Sequence, residues 1–232
     1  RTPTLSELYA TDIAKKNDRL TIGNLDLKPE KNNYFSLSAE YVHERFSVSV
    51  NAFYNNIRDM IDYNTIATGD KAMEQYGHKE VRQRDNIAEA KVHGINVSAN
   101  AYLGAGFNLS GGYTHLNTQD VELEQPIDKS IKNAYNINAQ WAHSWKIYRL
   151  NINLNGRFNS KRFSKSYGYA PEYQLWDLNT RHSFNLKSVI IEPGCGMENL
   201  FDYMDDRPYN SNYATLTPGR SFYISLSLKF KS

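Results

Sequence analysis

Apolar and polar residues alternate with a period of two through most of this chain, and the last stretch shows it best. From Gly219 to Phe230, the residues Phe222, Ile224, Leu226, Leu228 and Phe230 fall on one side of an extended strand. Tyr223, Ser225, Ser227 and Lys229 fall on the other. Tyr148, Leu150, Ile152, Leu154 and Phe158 stand in the same way against Arg149, Asn151, Asn153, Asn155 and Arg157. Further alternating runs are led by Phe35, Phe46, Ile95, Phe107, Tyr135 and Trp176, and a weaker one covers residues 189–201. Pro193 in that last run cannot donate a ladder hydrogen bond, so a bulge is expected there.

These runs predict about nine strands in one all-β domain spanning residues 1–232. Residues 1–33 are expected to be mainly loop, and strands and loops fill 34–230. Short connections near Glu44-Arg45, Gly104-Ala105-Gly106, residues 144–147 and Lys187-Ser188 alternate with long ones at 64–79, 120–132, 161–173 and 202–218. Short turns at one rim and long loops at the other are the mark of an antiparallel, up-and-down transmembrane β-barrel.

A soluble β-sandwich or a lipocalin-like binder gives the same alternation with inside and outside exchanged. Three features favour lipid on the apolar side. Several predicted strands exceed ten residues, longer than soluble sheets use. The polar side is rich in Asn, Ser and Arg. Aromatics gather at strand ends: Phe46, Phe107, Trp145, Tyr148, Phe184 and Phe230 at the short-turn rim, and Tyr63, Tyr113, Phe158, Tyr173 and Trp176 towards the loops. Nine strands leave the two ends of the meander on opposite rims, whereas bacterial single-chain barrels have even strand numbers. Further strands are therefore expected to pair with the two open edges.

Composition narrows the choice. Of 232 residues, 40% are hydrophobic and 17 are Tyr; mean hydropathy is −0.65. No run of 18 apolar residues exists, which excludes a spanning helix but not spanning strands. A net charge of +2 gives no reason to expect a nucleic acid as partner. The opening Arg1-Thr2-Pro3-Thr4 lacks the apolar stretch of a secretion signal, so a cytosolic protein or a piece of a longer one is expected.

Several ordered motifs then matter: Arg1-Thr2-Pro3-Thr4-Leu5-Ser6-Glu7-Leu8-Tyr9; Gly23-Asn24-Leu25-Asp26-Leu27-Lys28-Pro29-Glu30; Asn86 with Ala90 and Gly94-Ile95; Glu198-Asn199-Leu200-Phe201-Asp202; and Pro218-Gly219-Arg220 before an aromatic-ended strand. The set resembles TonB-dependent outer-membrane receptors. That resemblance implies a 22-stranded barrel plugged by an N-terminal domain, of which this chain would form strands 14 to 22, in the outer membrane of a Gram-negative bacterium. It implies import of a scarce nutrient, foremost an iron–siderophore complex, with haem, cobalamin and glycans as alternatives. The implied partners are the TonB complex (through the plug absent here), outer-membrane lipid and the barrel assembly machinery. Haem receptors of the family carry a ligating His between their boxes, and no His lies between Arg1 and Glu30. Asn96 stands where the family usually has Glu.

Candidate ligand-binding residues are loop and upper-lumen aromatics and a cation: Tyr9, Tyr167, Tyr169, Tyr173, Arg207, Tyr209 and Tyr213. Flat rings suit catecholates and sugars, and Arg suits carboxylates and anionic chelates. Phe222, Ile224, Leu226, Leu228 and Phe230 resemble the assembly signal of such barrels. Asp202, Asp205 and Asp206 read as a solvated loop, without the spacing of a calcium loop. The six His lack ligand spacing, so no metal or cofactor is expected. A phospholipase or protease barrel is the competing reading, with Thr114-His115 as its nearest constellation and no convincing partner for it.

Overall fold

The computed structural model describes residues 1–205 and 212–231, apart from the side chains of Ile87 and Ala88. In chain order the elements are helix α1 (Leu5–Tyr9), strands β1 (Thr11–Ala14), β2 (Arg19–Ile22), β3 (Lys31–His43) and β4 (Phe46–Thr68), and helix α2 (Gly69–Tyr76). Strands β5 (Glu80–Gly104), β6 (Phe107–Asp120), β7 (Asn133–Trp145), β8 (Tyr148–Asn159), β9 (Arg162–Ser164) and β10 (Gly168–Ala170) follow, then β11 (Tyr173–Asn185), β12 (Val189–Glu198) and β13 (Ser221–Phe230). Nine of these strands have ten residues or more, and the other four have three or four. The chain is all-β and mostly antiparallel. Among the described residues no helix is long and apolar enough to cross a membrane, which says nothing of strands.

Two compact units divide the chain: residues 1–35, 54–93 and 118–126 in one, and residues 36–53, 94–117 and 127–232 in the other. The second is a strand meander. Its antiparallel registers put Leu109 opposite Ala139, Ala139 opposite Leu154, Leu154 opposite Leu178, Leu178 opposite Met197 and Met197 opposite Phe222. One residue further along, Asn108, Gln140, Asn153, Asn179, Gly196 and Tyr223 align in the same way. A slip of one residue in any strand would mix the two rows, so the register builds one continuous apolar face and one continuous polar face.

Among the described residues of this unit the apolar face lies exposed. Ile224 is 88% exposed and Phe230 81%. The only buried hydrophobic residues of this unit, among those described, are Ala170, Leu175 and Ala214. A sandwich would hide these side chains in a dry interior, so that alternative falls. The polar face is laced across strands by Ser49 with Ser98 at 2.7 Å, Asn51 donating to Ser38 at 2.7 Å, Asn138 donating to Asn155 at 2.6 Å and the Tyr223 hydroxyl donating to Asn179 at 2.5 Å. Asn96 joins this lacing by accepting from Thr114 Oγ1 at 2.9 Å.

At the short-turn end, aromatic rings form a chain on the apolar face. Phe107 lies 5.9 Å from Trp141, Trp141 6.1 Å from Trp145, Trp145 5.5 Å from Tyr148 and Tyr148 5.0 Å from Phe184. Towards the loops, Tyr113 stacks on Tyr135 at 4.6 Å and Tyr135 meets Phe158 at 5.5 Å. Two glycines permit aromatic covers. A Cβ on Gly156 would stand 2.7 Å from the Trp176 ring, and one on Gly196 would collide with the Tyr223 ring.

The bulge expected at Pro193 is absent. Arg181–Gly194 and Phe184–Ile191 keep one register across the proline, and the β11 ladder simply lapses opposite Pro193. On its other side β12 pairs without a break, with Pro193 facing Leu226. The missing N–H is thus absorbed as a local gap in one ladder.

The first unit departs further from expectation. Residues 1–33 carry α1 and the β1–β2 hairpin, and β2 pairs in parallel with β5 through Arg19–Glu80 to Ile22–Gln83, an exception to the all-antiparallel scheme. The expected loop at 64–79 instead continues β4 and forms α2. Ala72, Met73, Glu74 and Gln75 are good helix formers, Asp70 suits the first turn, and Gly77 closes the helix in a left-handed conformation at φ 73°. Leu27, Ile61, Ala72, Val81 and Ala90 are the buried apolar residues here among those described.

Candidate functional site

The predicted binding tyrosines of the second unit lie on the β9–β10 hairpin, at the start of β11 and in the last loop. Strands β9 and β10 form a small hairpin, tied to residues 127–131 by Phe163 N to Ser130 O at 3.0 Å, Lys129 N to Phe163 O at 2.8 Å and Lys165 N to Asp128 Oδ1 at 2.9 Å. Its turn is made possible by Gly168 at φ 74°. The buried Asn212 donates to the Gly168 carbonyl at 3.0 Å, and Arg162 donates to the Tyr213 carbonyl. Asp205 accepts from Ala214 N at 2.5 Å and Asp202 accepts from Arg220 N at 2.7 Å. Those two carboxylates therefore brace the last loop. Asp206 lies outside the described residues.

On this frame Tyr167 and Tyr169 are 47% and 56% exposed, with Tyr169 edge-on to Phe163 at 5.3 Å. Tyr173 faces Tyr203 at 5.9 Å, and its hydroxyl accepts from Asn159 at 2.6 Å. Tyr213 contributes its carbonyl to the brace. Tyr9, 68% exposed, ends α1 in the other unit. Arg207 and Tyr209 lie outside the described residues. Tyr167 and Tyr169 thus stand exposed on the β9–β10 hairpin, Tyr213 is joined to that hairpin through its carbonyl and Arg162, and Tyr173 lies apart at the start of β11.

Sequence reasoning passed over Arg162. Its guanidinium joins the β9–β10 hairpin to the last loop and has a buried Nε without a hydrogen bond. A guanidinium with no carboxylate partner among the described residues has the chemistry to pair with a flat anion. The only signal available was its place in the Lys- and Tyr-rich stretch at 161–173. At the enzyme candidate, His115 Nδ1 pairs with Asn133 Oδ1 at 2.8 Å and Thr114 donates to Asn96, with no acid bonded to the histidine among the described residues. Among the described residues, no three His, Cys, Asp or Glu side chains gather as a metal site. Cys195 is exposed on the apolar side of β12, 3.1 Å from Thr180 Oγ1.

The motif residues of the first unit do structural work. Arg1 pairs with both oxygens of Glu7, at 2.8 and 3.0 Å, and with Glu30 at 3.0 Å. Thr4 N donates to Glu7 at 2.8 Å, closing a capping box on α1. Glu30 also accepts from Ile61 N at 3.0 Å. The Arg1 hydrogen bonds, helped by Thr4, outweigh burial and hold the Glu7 carboxyl down at about 2. Asn24 N donates to Glu7 O at 3.0 Å and Gly23 N to Ala10 O at 2.8 Å. Asn86 accepts from Lys28 N at 2.7 Å while donating to Lys28 O at 3.0 Å and Asp59 O at 2.6 Å. His78, 2.9 Å from Asp18, lowers that carboxyl as well.

Known proteins resemble this chain in sequence and fold. The family described as TonB dependent receptor-like, beta-barrel matches residues 1–200. A probable TonB-dependent siderophore receptor, PiuA of Acinetobacter baumannii, is 28% identical over 162 residues, which is 62% of this chain and 21% of that protein. A mutant ferric enterobactin receptor, PfeA of Pseudomonas aeruginosa, shares the fold at TM-score 0.71 and 20% identity, over 99% of this chain and 36% of that one. The siderophore receptor PirA of Acinetobacter baumannii does so at TM-score 0.68 and 19% identity, over 91% and 33%. The chain spans about a fifth of the length of the curated relative and about a third of these solved chains.

Proposed function

The chain belongs to the TonB-dependent receptor β-barrel family, and from that premise we propose that it forms the C-terminal part of an outer-membrane receptor for an iron–siderophore complex. The observation that carries this reading is the apolar face of the meander, continuous across six strands and open to its surroundings, which acyl tails would cover. Its outer edges agree: among the described residues β3 pairs only with β4, and β13 only with β12. Such edges call for further strands, and the reading supplies them as the N-terminal part of a 22-stranded barrel. The long loops would then face outward, with Tyr167, Tyr169, Tyr173 and Arg162 among the groups that meet the ligand. TonB would act through an N-terminal plug, and the periplasmic side would carry the short turns. The family relatives are receptors and transporters, not enzymes.

Ligand binding tests this directly. Purified full-length receptor should show quenching of intrinsic fluorescence on titration with ferric siderophores. The pair Tyr167→Ala and Tyr169→Ala should raise Kd about tenfold, the scale of two lost ring contacts. A folded receptor that ignores ferric siderophores but captures cobalamin, haem or a glycan would redirect the ligand assignment. A chain that is monomeric without detergent and unfolds in one sharp step would overturn the membrane reading as a whole.

A further inference from the structure

The short turns of the meander carry charge that the proposed transport does not use. Backbone hydrogen bonds bring three lysine-bearing segments into one row at this rim. Asn185 N donates to Ile147 O at 2.7 Å, tying the β7–β8 turn to the end of β11. Leu186 N donates to Val189 O at 2.9 Å, closing the β11–β12 turn, and Lys231 N donates to Ser188 O at 3.1 Å, fastening the end of β13 to it. Lys146, Lys187 and Lys231 thus stand on neighbouring turns, successive ones about 10 Å apart by strand spacing. None of the three has a carboxylate partner among the described residues, and Lys231 Nζ spends one of its three N–H donors on Leu186 O at 2.8 Å. Lys229, nearby on β13, is by contrast bound to Glu192 at 2.6 Å. Among the short turns of the meander Glu44 is the one acid, and it is offset by Arg45 beside it.

Lys146 occupies a further unusual position. Its φ is 43°, the left-handed region where Gly or Asn is the ordinary choice in a tight hairpin. A lysine there keeps a charge at the tip at a conformational cost. Directly above this row, on the apolar face, lie the Trp145–Tyr148–Phe184 rings, with Ile147 58% and Phe230 81% exposed. Cations at the rim and an oily, ring-lined wall beside them match one chemical partner.

We propose that this rim docks an anionic glycerophospholipid, its phosphate held by Lys146, Lys187 and Lys231 and its acyl chains laid along Ile147, Phe184 and Phe230. The inference rests on the membrane reading above and would place the lipid in the periplasmic leaflet. Near a membrane surface each lysine multiplies affinity for anionic lipid about fivefold at moderate salt, and added salt screens the effect within about 10 Å.

Native mass spectrometry of the full-length receptor, titrated with phosphatidylglycerol or phosphatidylethanolamine in detergent, reads the preference. Wild type should retain phosphatidylglycerol at least tenfold better. Lys146→Gln, Lys187→Gln and Lys231→Gln together should abolish that preference while the heat-resistant folded band persists. A control carrying Lys161→Gln and Lys165→Gln in the opposite loops should keep it, and glycerol phosphate should not compete. Equal retention of the two lipids by folded wild type overturns the docking inference and leaves the receptor reading standing. So does a preference that survives in the triple variant, or one lost equally in the loop control. A protein that yields no folded band in detergent or vesicles defeats the receptor reading, and this inference with it.

Discussion

Replacing Glu7 by Gln keeps the size and the Thr4 contact of that side chain but removes the charge that Arg1 grips at 2.8 and 3.0 Å. The carboxyl sits at about 2 in the folded chain against an ordinary 4.5, a gap corresponding to about 3 kcal/mol. Arg1 is half-exposed, with 46% of its side chain open to water. Solvent screening roughly halves the figure, to about 1.5 kcal/mol. Because the folded value is depressed, this stability is present in full above about pH 4.5 and is lost as pH falls towards 2. The amides of Gly23 and Asn24, which donate to Ala10 O and Glu7 O, report on it. Hydrogen exchange followed by mass spectrometry at neutral pH should show them opening about tenfold faster in the Glu7→Gln variant. In wild type the same opening should appear on acidification, after correction for the intrinsic exchange rate. Unchanged protection in the variant, together with wild-type protection that stays flat between pH 6 and 3, would refute the clamp.

The orientation of the sheet is tested by two charges. Leu226→Arg, on the apolar face of β13, should cost about 2–4 kcal/mol of barrel stability in vesicles, whereas Ser225→Arg, on the polar face, should cost far less. The opposite ranking would reverse inside and outside. Gly196→Ala should push the Tyr223 ring away and break its hydrogen bond to Asn179, lowering stability by about 1–2 kcal/mol in urea unfolding of the folded receptor; a neutral result would mean the ring relocates freely. Asn86→Ala removes two backbone anchors at Lys28 and one at Asp59 and should speed exchange at Lys28 N without changing the melting of β6–β13. Deleting residues 221–230 from the full-length protein is expected to block insertion, and normal heat-resistant folding of that deletion would discard the assembly-signal reading.

What the sequence determined by itself was whatever depends on local period. The two-residue alternation identified a mostly antiparallel all-β chain and, in the meander, which side of each strand is apolar, because a strand turns successive side chains to opposite faces whatever its neighbours are. Motif order alone pointed to the family. The helix α2 was missed, because its short polar stretch within 64–79 reads like the loops around it despite Asp70, the run of helix formers and the closing Gly77.

Tertiary structure decided everything that needs two distant segments to meet. Whether apolar faces oppose one another or lie open could not be read from any single strand. The registers from Leu109 to Phe222 and the exposure of Ile224 supplied the answer. Arg1 with Glu7 and Glu30, Asn86 with Lys28 and Asp59, and Arg162 with Tyr213 are separated by loops whose path no pattern encodes. Pro193 was visible, yet its effect depended on which neighbour needed its missing donor. Side-chain period is a property of one strand, while burial, ion pairing and the grouping of loop residues belong to pairs of strands and to the paths between them.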